Sequence, residues 1–188
     1  MSRAFVLLAE GFEEIEAVSA IDVMRRGGID VVVAALSGDL FVPGSRGMTL
    51  TADVALDDVP DAASFDAVVL PGGALGMRNL RADGRVANLL REMNAAGKCV
   101  AAICAAPIVL GAAGVIGDRR YTCYPSCEGD VGAPNYTDCT AVVEDGNLLT
   151  SRGPGTAMAF GVALVRKLAG AETARRVADG LLFQADAL

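Results

Sequence analysis

Apolar runs alternate along the chain with segments whose apolar side chains recur at helical spacing. Residues 4–8, 29–36 and 65–70 are rich in aliphatic side chains and predict buried strands. Residues 13–26 and 83–96 show helical spacing and are each followed by glycine, so each segment predicts a helix. This order predicts an α/β fold in which a mostly parallel sheet carries helices on both faces.

The second half of the chain continues this alternation and adds an irregular stretch between residues 119 and 150. A predicted strand over 99–103 leads into a helix that extends to about residue 113. The same patterns predict short strands at 140–143 and 148–150, a turn at 144–147, and helices at 156–168 and 172–183. No internal repeat or low-complexity linker interrupts the pattern, so we expect one domain over residues 1–188.

Composition narrows the class of protein. The chain is 53% hydrophobic and 21% charged, which favours a packed core over disorder. The net charge of -7 and the scattered basic residues argue against a nucleic-acid partner. The five cysteines are an odd number in a chain too large to need disulfides, so we expect a reducing, cytoplasmic location.

Two further classes are disfavoured by what the sequence contains. Residues 1–8 are too short for a signal peptide, and the uncharged stretch 99–117 holds too many glycines for a membrane span. We therefore expect no membrane partner. The chain has no histidine and no Cys-x-x-Cys pair, so we expect neither a metal site nor a bound cofactor.

The segment VAAICAAP at 100–107 carries the first candidate for chemistry. A predicted strand ends at Cys104 and a helix begins at once, with Pro107 suited to its first turn. Such a corner resembles the nucleophile elbow of hydrolases, and the positive end of the helix favours a thiolate. The alternative is a small buried cysteine of the core, and this segment alone does not separate the two interpretations.

Glu16 is the second candidate. On the predicted helix 13–26 it projects between Ala20 and Val23, within the apolar face. Burial there should raise the pKa of the carboxyl group. A protonated glutamate can donate a hydrogen bond to a thiolate and then move a proton during a reaction. The alternative is a glutamate at the rim whose aliphatic part covers apolar surface.

The turns that follow the predicted strands supply further candidates, because ligands of open α/β sheets bind beyond the carboxyl ends of the strands. Gly72 and Gly73 follow the strand at 65–70, and their N–H groups could join that of Ala105 in an oxyanion hole. An ordinary turn is the alternative. The segment SRGPGT at 151–156 precedes a helix, and Arg152 there is either an anion ligand or a structural arginine.

Together these segments resemble the ThiJ/PfpI superfamily, and specifically its DJ-one branch. The order and spacing of the matching motifs agree across nearly the whole chain. The motifs are LLAEGFEEIEAV (7–18), DVMRRGGIDV (22–31), LPGG (70–73), AAICAAP (101–107) and TSRGPGT (150–156). The resemblance implies a flavodoxin-like three-layer α/β/α sandwich, of the class I glutamine amidotransferase-like kind, that forms a homodimer.

The resemblance also implies roles for individual residues. Cys104 would be an easily oxidised nucleophile and Glu16 its protonated hydrogen-bond partner. The backbone N–H groups of Gly73 and Ala105 would be the oxyanion donors. Family members are described as glyoxalases that act on methylglyoxal without glutathione, as deglycases that remove early glycation adducts, and as oxidative-stress sensors or chaperones.

Three more positions follow from the resemblance. Arg46 and Arg152 match arginines near the dimer interface that can hold an anion close to the cysteine. Many relatives have His-Pro where this chain has Tyr124-Pro125. A tyrosine, whose ordinary pKa lies near 10, is a poor base at neutral pH, but it can orient a substrate carbonyl. Without histidine the chain cannot form a Cys-His pair in cis, which disfavours protease or amidotransferase chemistry.

We therefore expect a cofactor-independent cysteine enzyme that acts on a reactive dicarbonyl or aldehyde. It would convert methylglyoxal to lactate, or remove early glycation adducts, including those on glycated protein. The alternative is a non-enzymatic oxidative-stress sensor or chaperone in which Cys104 is oxidised to a sulfinate. Both functions use the same residues, so the sequence does not separate them.

Overall fold

In the computed structural model, which describes residues 1–59 and 64–184, strands and helices alternate along the chain. The strands are β1 (Arg3–Leu8), β2 (Asp30–Ala35), β3 (Phe41–Pro43), β4 (Thr49–Thr51), β5 (Val54–Ala55), β6 (Ala67–Leu70), β7 (Cys99–Ile103), β8 (Val142–Asp145) and β9 (Leu148–Ser151). The helices are α1 (Glu14–Arg26), α2 (Ala74–Ala82), α3 (Gly84–Ala95), α4 (Pro107–Ala112), α5 (Glu128–Val131), α6 (Ala157–Ala169) and α7 (Ala171–Gly180), with 3-10 turns at Leu56–Asp58 and Pro154–Thr156.

Seven of these strands form one sheet in the order β5-β2-β1-β6-β7-β9-β8. Every pair in it is parallel except β8 with β9, which are antiparallel and joined by a tight turn. Strands β3 and β4 form a separate antiparallel hairpin. This topology, with helices on both faces, is the flavodoxin-like α/β sandwich expected from the sequence.

Each face of the sheet buries its own hydrophobic core. Successive side chains of β1 alternate between them, so that Val6 and Leu8 join one core while Phe5 and Leu7 join the other. Helices α1, α6 and α7 cover the first face, and α2, α3 and α4 cover the second. Since a fully buried side chain of this size contributes about 1.5–3 kcal/mol, these cores hold the strand ends firmly in place.

Helix α1 approaches α6 closely because Gly161 leaves room for Val23. A Cβ atom added to Gly161 would lie 2.8 Å from the Cβ atom of Val23, too close for any side chain. This contact fixes the helix that carries Glu16 against the rest of the fold.

Most predicted elements are confirmed, with ends that differ by at most three residues. The structure adds the β3–β4 hairpin, β5, α2 and α5, which the apolar pattern did not predict. The hairpin strands are short and mainly exposed, so they have no buried face for the pattern to mark. In α2, Gly76 lies against the backbone of Phe12, so the position that helical spacing would fill with an apolar side chain holds glycine.

Within the described ranges, no helix is long and apolar enough to cross a membrane. The uncharged stretch 99–117 instead contains β7 and α4.

Candidate active site

The candidate site lies at the point in the sheet where the strand order reverses. From β1 the chain continues to β2 on one side, and it returns with β6 on the other side. A crevice therefore opens at the carboxyl ends of β1 and β6, which is where open α/β sheets bind ligands. The loop after β1 leads to Glu16 in α1, the loop after β6 holds Gly72 and Gly73, and Cys104 directly follows β7.

Cys104 occupies a strained turn. Its φ angle of 64° lies in the left-handed region that L-residues rarely adopt, and its side chain is nearly buried, with 9% exposed. Two backbone hydrogen bonds hold the conformation. The Cys104 N–H donates to the Ser151 carbonyl at 3.0 Å, and the Tyr124 N–H donates to the Cys104 carbonyl at 2.7 Å. This is the elbow geometry that the sequence predicts.

Helix α4, which follows the elbow, contains only six residues. Its dipole is therefore small, and the nearby backbone N–H groups become the main local source of positive charge for the sulfur. The expectation that the dipole of this helix favours the thiolate stays a prediction.

Glu16 is fully buried, as its place on the apolar face of α1 predicts. Its Oε2 atom accepts a hydrogen bond from the Gly72 N–H at 2.7 Å. Its other oxygen, Oε1, is also buried, and no hydrogen-bond partner for it occurs among the described residues. Since a buried carboxylate oxygen without a donor is costly, this environment favours a protonated carboxyl group.

The electrostatics of the two groups are coupled. Burial raises the pKa of Glu16 to about 7, against the opposing effects of the Gly72 N–H and the Cys104 thiol. Burial also raises the pKa of Cys104, and an ionised Glu16 raises it further, whereas the N–H groups of Ala105 and Gly73 lower it. A Cys104 thiolate is therefore favoured only while Glu16 keeps its proton. The protonation states of the two groups are coupled.

Three chain segments approach each other so closely at Gly72 and Gly73 that these positions leave no room for a side chain. A Cβ atom on Gly72 would lie 2.7 Å from both the Cβ atom of Cys104 and Oε2 of Glu16. Gly73 has φ 95°, and a Cβ atom there would overlap the Gly11 carbonyl oxygen. These contacts distinguish the segment from an ordinary turn, because both glycines let the backbone reach the carboxyl and thiol groups.

We expect Gly73→Ala to lower the free energy of unfolding well beyond the cost of its φ angle. The matched control is Gly28→Ala, since Gly28 has φ 74° and open space around its Cα. The control should lose about 1–2 kcal/mol for the left-handed backbone alone, and Gly73→Ala a further 1–3 kcal/mol for the overlap. Urea unfolding of both variants measures the difference. Equal losses would show that the Gly11 contact relaxes without cost.

Above the thiol the site opens into a cavity of about 670 Å³. Its wall includes Cys104, Ala105 and Gly73, together with Tyr124 and Arg46. A cavity of this size admits a small aldehyde and leaves room for a longer adduct. Among the described residues, no three His, Cys, Asp or Glu side chains come close enough together to hold a metal ion.

The predicted residues at the edge of the site take different positions. Tyr124 is about half exposed and its ring packs beside Gly153. Arg46 lines the cavity. The Arg152 guanidinium donates to the Asp138 carbonyl at 3.0 Å, and its place at an interface stays a prediction.

Glu14 is a site residue that the sequence analysis did not identify. The structure buries it, and its carboxylate accepts hydrogen bonds from the Ser45 hydroxyl and from the Arg46 and Met48 N–H groups. Burial opposes ionisation, but these donors lower the pKa of Glu14 below its ordinary value. These hydrogen bonds hold the 45–48 loop, which contains Arg46, in place at the cavity wall.

Fold and site together define a flavodoxin-like α/β protein with an elbow cysteine beside a buried glutamate, and comparison with known proteins agrees. A model of the DJ-1/PfpI family matches residues 2–167. Protein dj-1beta of Drosophila melanogaster is 46% identical over 180 residues, which is 95% of this chain and 96% of that protein. The crystal structure of Drosophila melanogaster DJ-1beta matches with a TM-score of 0.92 and 45% identity, covering 98% of this chain and 100% of that one.

A glutathione-independent glyoxalase of Caenorhabditis elegans is 36% identical over 173 residues, which is 91% of this chain and 90% of that protein. Both coverage and identity are high across these comparisons. The chain therefore belongs to the DJ-1/PfpI family.

Proposed function

We propose that this protein is a cofactor-independent cysteine enzyme that converts methylglyoxal to lactate without glutathione. Early glycation adducts, including those on proteins, would be related substrates. The observation that carries the proposal is a fully buried glutamate, with its pKa raised to about 7, beside a nearly buried elbow cysteine at the floor of a cavity. The similarity to a glutathione-independent glyoxalase of Caenorhabditis elegans supports it.

In the first step the Cys104 thiolate attacks the aldehyde carbon of methylglyoxal. A C–S bond forms, and the carbonyl oxygen gains the negative charge. The N–H groups of Gly73 and Ala105, which already lower the pKa of the thiol, stabilise that oxyanion. Glu16 then donates its proton to the oxygen, giving a hemithioacetal and a carboxylate.

In the second step Glu16 acts as a base. Its carboxylate removes the proton from the carbon bonded to sulfur, which gives an enediolate. It then returns that proton to the neighbouring carbon, while the hydroxyl proton moves from the first oxygen to the second. The product is the thioester of lactate with Cys104. Water attacks this thioester, releases lactate and restores the thiol, so the net reaction adds one water to methylglyoxal. A carboxyl pKa near 7 suits both the acid and the base role at neutral pH.

The direct test incubates the purified protein with methylglyoxal in buffer free of glutathione and other thiols. We expect lactate to accumulate in proportion to enzyme concentration. Lactate is the quantity to follow, because exposed arginines also consume methylglyoxal without forming it. Lactate formation no faster than in buffer alone would overturn the proposal.

Tyr124 is proposed to orient the substrate carbonyl through its hydroxyl group. Tyr124→Phe should lower kcat/KM by about 2- to 13-fold, the effect of one hydrogen bond of about 0.5–1.5 kcal/mol. Tyr136→Phe is the matched control, because Tyr136 packs against Tyr121 and is not among the residues of the cavity wall. Tyr124→His tests the departure from the family pattern. A strong rise in lactate formation would show that tyrosine here marks reduced catalysis and does not assist it.

The second candidate function is an oxidative-stress sensor. It is favoured by the N–H groups of Gly73 and Ala105, which would hold the oxygen atoms of an oxidised Cys104 as well as an oxyanion. The homodimer, the anion-binding roles of Arg46 and Arg152, the chaperone activity and the cytoplasmic location stay predictions.

A further inference from the structure

We propose that Cys127 is a second reactive residue of this site, which condenses with oxidised Cys104 to form a disulfide within one chain. This inference rests on the proposed role of Cys104 as the nucleophile. The disulfide would make the oxidation of Cys104 reversible, because thiols reduce a disulfide but not a sulfinate.

All five cysteines lie in the described ranges, and Cys127 alone shares the cavity with Cys104. Cys99 and Cys123 are buried, at 4% and 0% exposure, and neither lines the cavity. Cys139 is exposed, but it belongs to a different part of the surface. Cys127 is partly exposed, so a reagent in the cavity can reach it.

A tight turn over residues 124–127 connects Cys127 to the elbow through Tyr124. The Tyr124 N–H donates to the Cys104 carbonyl at 2.7 Å, and the Cys127 N–H donates to the Tyr124 carbonyl at 3.0 Å. Two hydrogen bonds therefore connect the two cysteine backbones. A disulfide needs Cα atoms about 4.4–6.8 Å apart, so the proposal requires that this link through Tyr124 bring Cys127 within that distance of Cys104.

The turn itself is strained. With Pro125 in its second position and φ 74° at Ser126, residues 124–127 form a type II turn, whose third position normally holds glycine or asparagine. A serine there costs about 1–2 kcal/mol and persists only where the surroundings hold it. The chain thus keeps Cys127 at a fixed place on the cavity wall at a cost in stability.

The chemistry requires a peroxide as the oxidant. The Cys104 thiolate attacks one peroxide oxygen, the O–O bond breaks, and Cys104 becomes a sulfenic acid while water or an alcohol leaves. The Cys127 sulfur then attacks the Cys104 sulfur. An S–S bond forms, the S–OH bond breaks, and the hydroxide leaves as water with the proton from Cys127. Two thiols and one peroxide thus give one disulfide, with water and the water or alcohol derived from the peroxide.

The two thiols differ in the donors that reach them. The N–H groups of Ala105 and Gly73 favour the thiolate of Cys104. At Cys127, by contrast, burial and the nearby carboxylates of Asp130 and Glu128 raise the pKa of the thiol. In the proposed order peroxide oxidises Cys104, and Cys127 then attacks the sulfenic acid.

The test treats the whole protein with one equivalent of hydrogen peroxide and analyses it without reduction. In the wild type we expect an intact chain that has lost two hydrogen atoms and a cross-link between tryptic peptides 99–119 and 121–152, assigned to Cys104 and Cys127 by fragmentation. In Cys127→Ser the cross-link should be lost and Cys104 should gain two oxygen atoms at higher peroxide. Cys139→Ser is the matched control and should keep the cross-link. Circular dichroism checks that each variant folds.

Three results would overturn the inference, and they are distinguishable. In the first, the wild type and Cys127→Ser form the same amount of Cys104 sulfinate and neither forms the cross-link. This result would exclude the role of Cys127 but leave Cys104 as the reactive residue. Cys104 that stays reduced while other cysteines oxidise removes both this inference and the nucleophile of the proposed function. A cross-link between two chains, seen as a doubled mass, would also contradict it.

Discussion

Replacing Cys104 by alanine is expected to lower lactate formation from methylglyoxal by about 10³-fold or more, because no other described thiol faces the Gly73 and Ala105 N–H groups. The fold should survive. Alanine tolerates the left-handed φ angle about as poorly as cysteine, and the loss of one sulfur atom from this nearly buried position costs about 1 kcal/mol. Lactate assays and urea unfolding, run on the same preparations, separate lost chemistry from lost structure.

Cys123→Ala is the matched control for this experiment. Cys123 is the nearest cysteine in sequence to Tyr124, it is fully buried, and it is not among the residues of the cavity wall. Its replacement should cost stability, as for any buried side chain, and leave lactate formation near that of the wild type. Substantial turnover by Cys104→Ala would place the chemistry elsewhere and contradict the proposed mechanism.

The architecture could be predicted because its strands are buried on both faces. Strand β7 was predicted to the residue, since a run of five buried apolar positions marks both of its ends. The β3–β4 hairpin could not be predicted, because its strands have three residues each and only Val42 in them is buried. Helix α2 was also missed, because Gly76 interrupts its apolar pattern.

The two central residues of the site were predictable for a different reason. Cys104 lies at a junction between a strand and a helix, and Glu16 is a charged residue on an otherwise apolar face. Both signals are local in sequence. Glu14 was missed because its hydrogen-bond partners are distant in sequence, in the 45–48 loop. Cys127 was missed because only the fold places it on the same cavity wall as Cys104. Neither contact leaves a periodic pattern, so only the folded chain reveals it.

Replacing Glu16 by glutamine should change stability and activity in opposite directions. The folded protein holds the Glu16 proton more tightly than the unfolded chain, since its pKa is raised from 4.5 to about 7. The contribution of Glu16 to the free energy of unfolding should therefore be largest below pH 4.5 and fall by about 3 kcal/mol as the pH rises to 7. Glu16→Gln has no such proton to lose, so its unfolding free energy should stay level there. The variant should be the more stable protein at pH 8.

Lactate formation by Glu16→Gln should fall by about 10²- to 10⁴-fold, because the amide can donate to the sulfur but cannot move a proton between carbons. Glu14→Gln is the matched control with the opposite sign. The pKa of Glu14 is lowered, so its carboxylate stabilises the fold at neutral pH and this contribution is lost as the pH falls through that pKa. Urea unfolding compares the three proteins from pH 3 to 8: the Glu14 contribution should be lost below pH 4.5, and the Glu16 contribution between pH 4.5 and 8. A wild-type stability independent of pH in this range would mean that the Glu16–Cys104 pair holds no proton near neutrality, and without that proton the carboxyl group could not act as the acid of the first step.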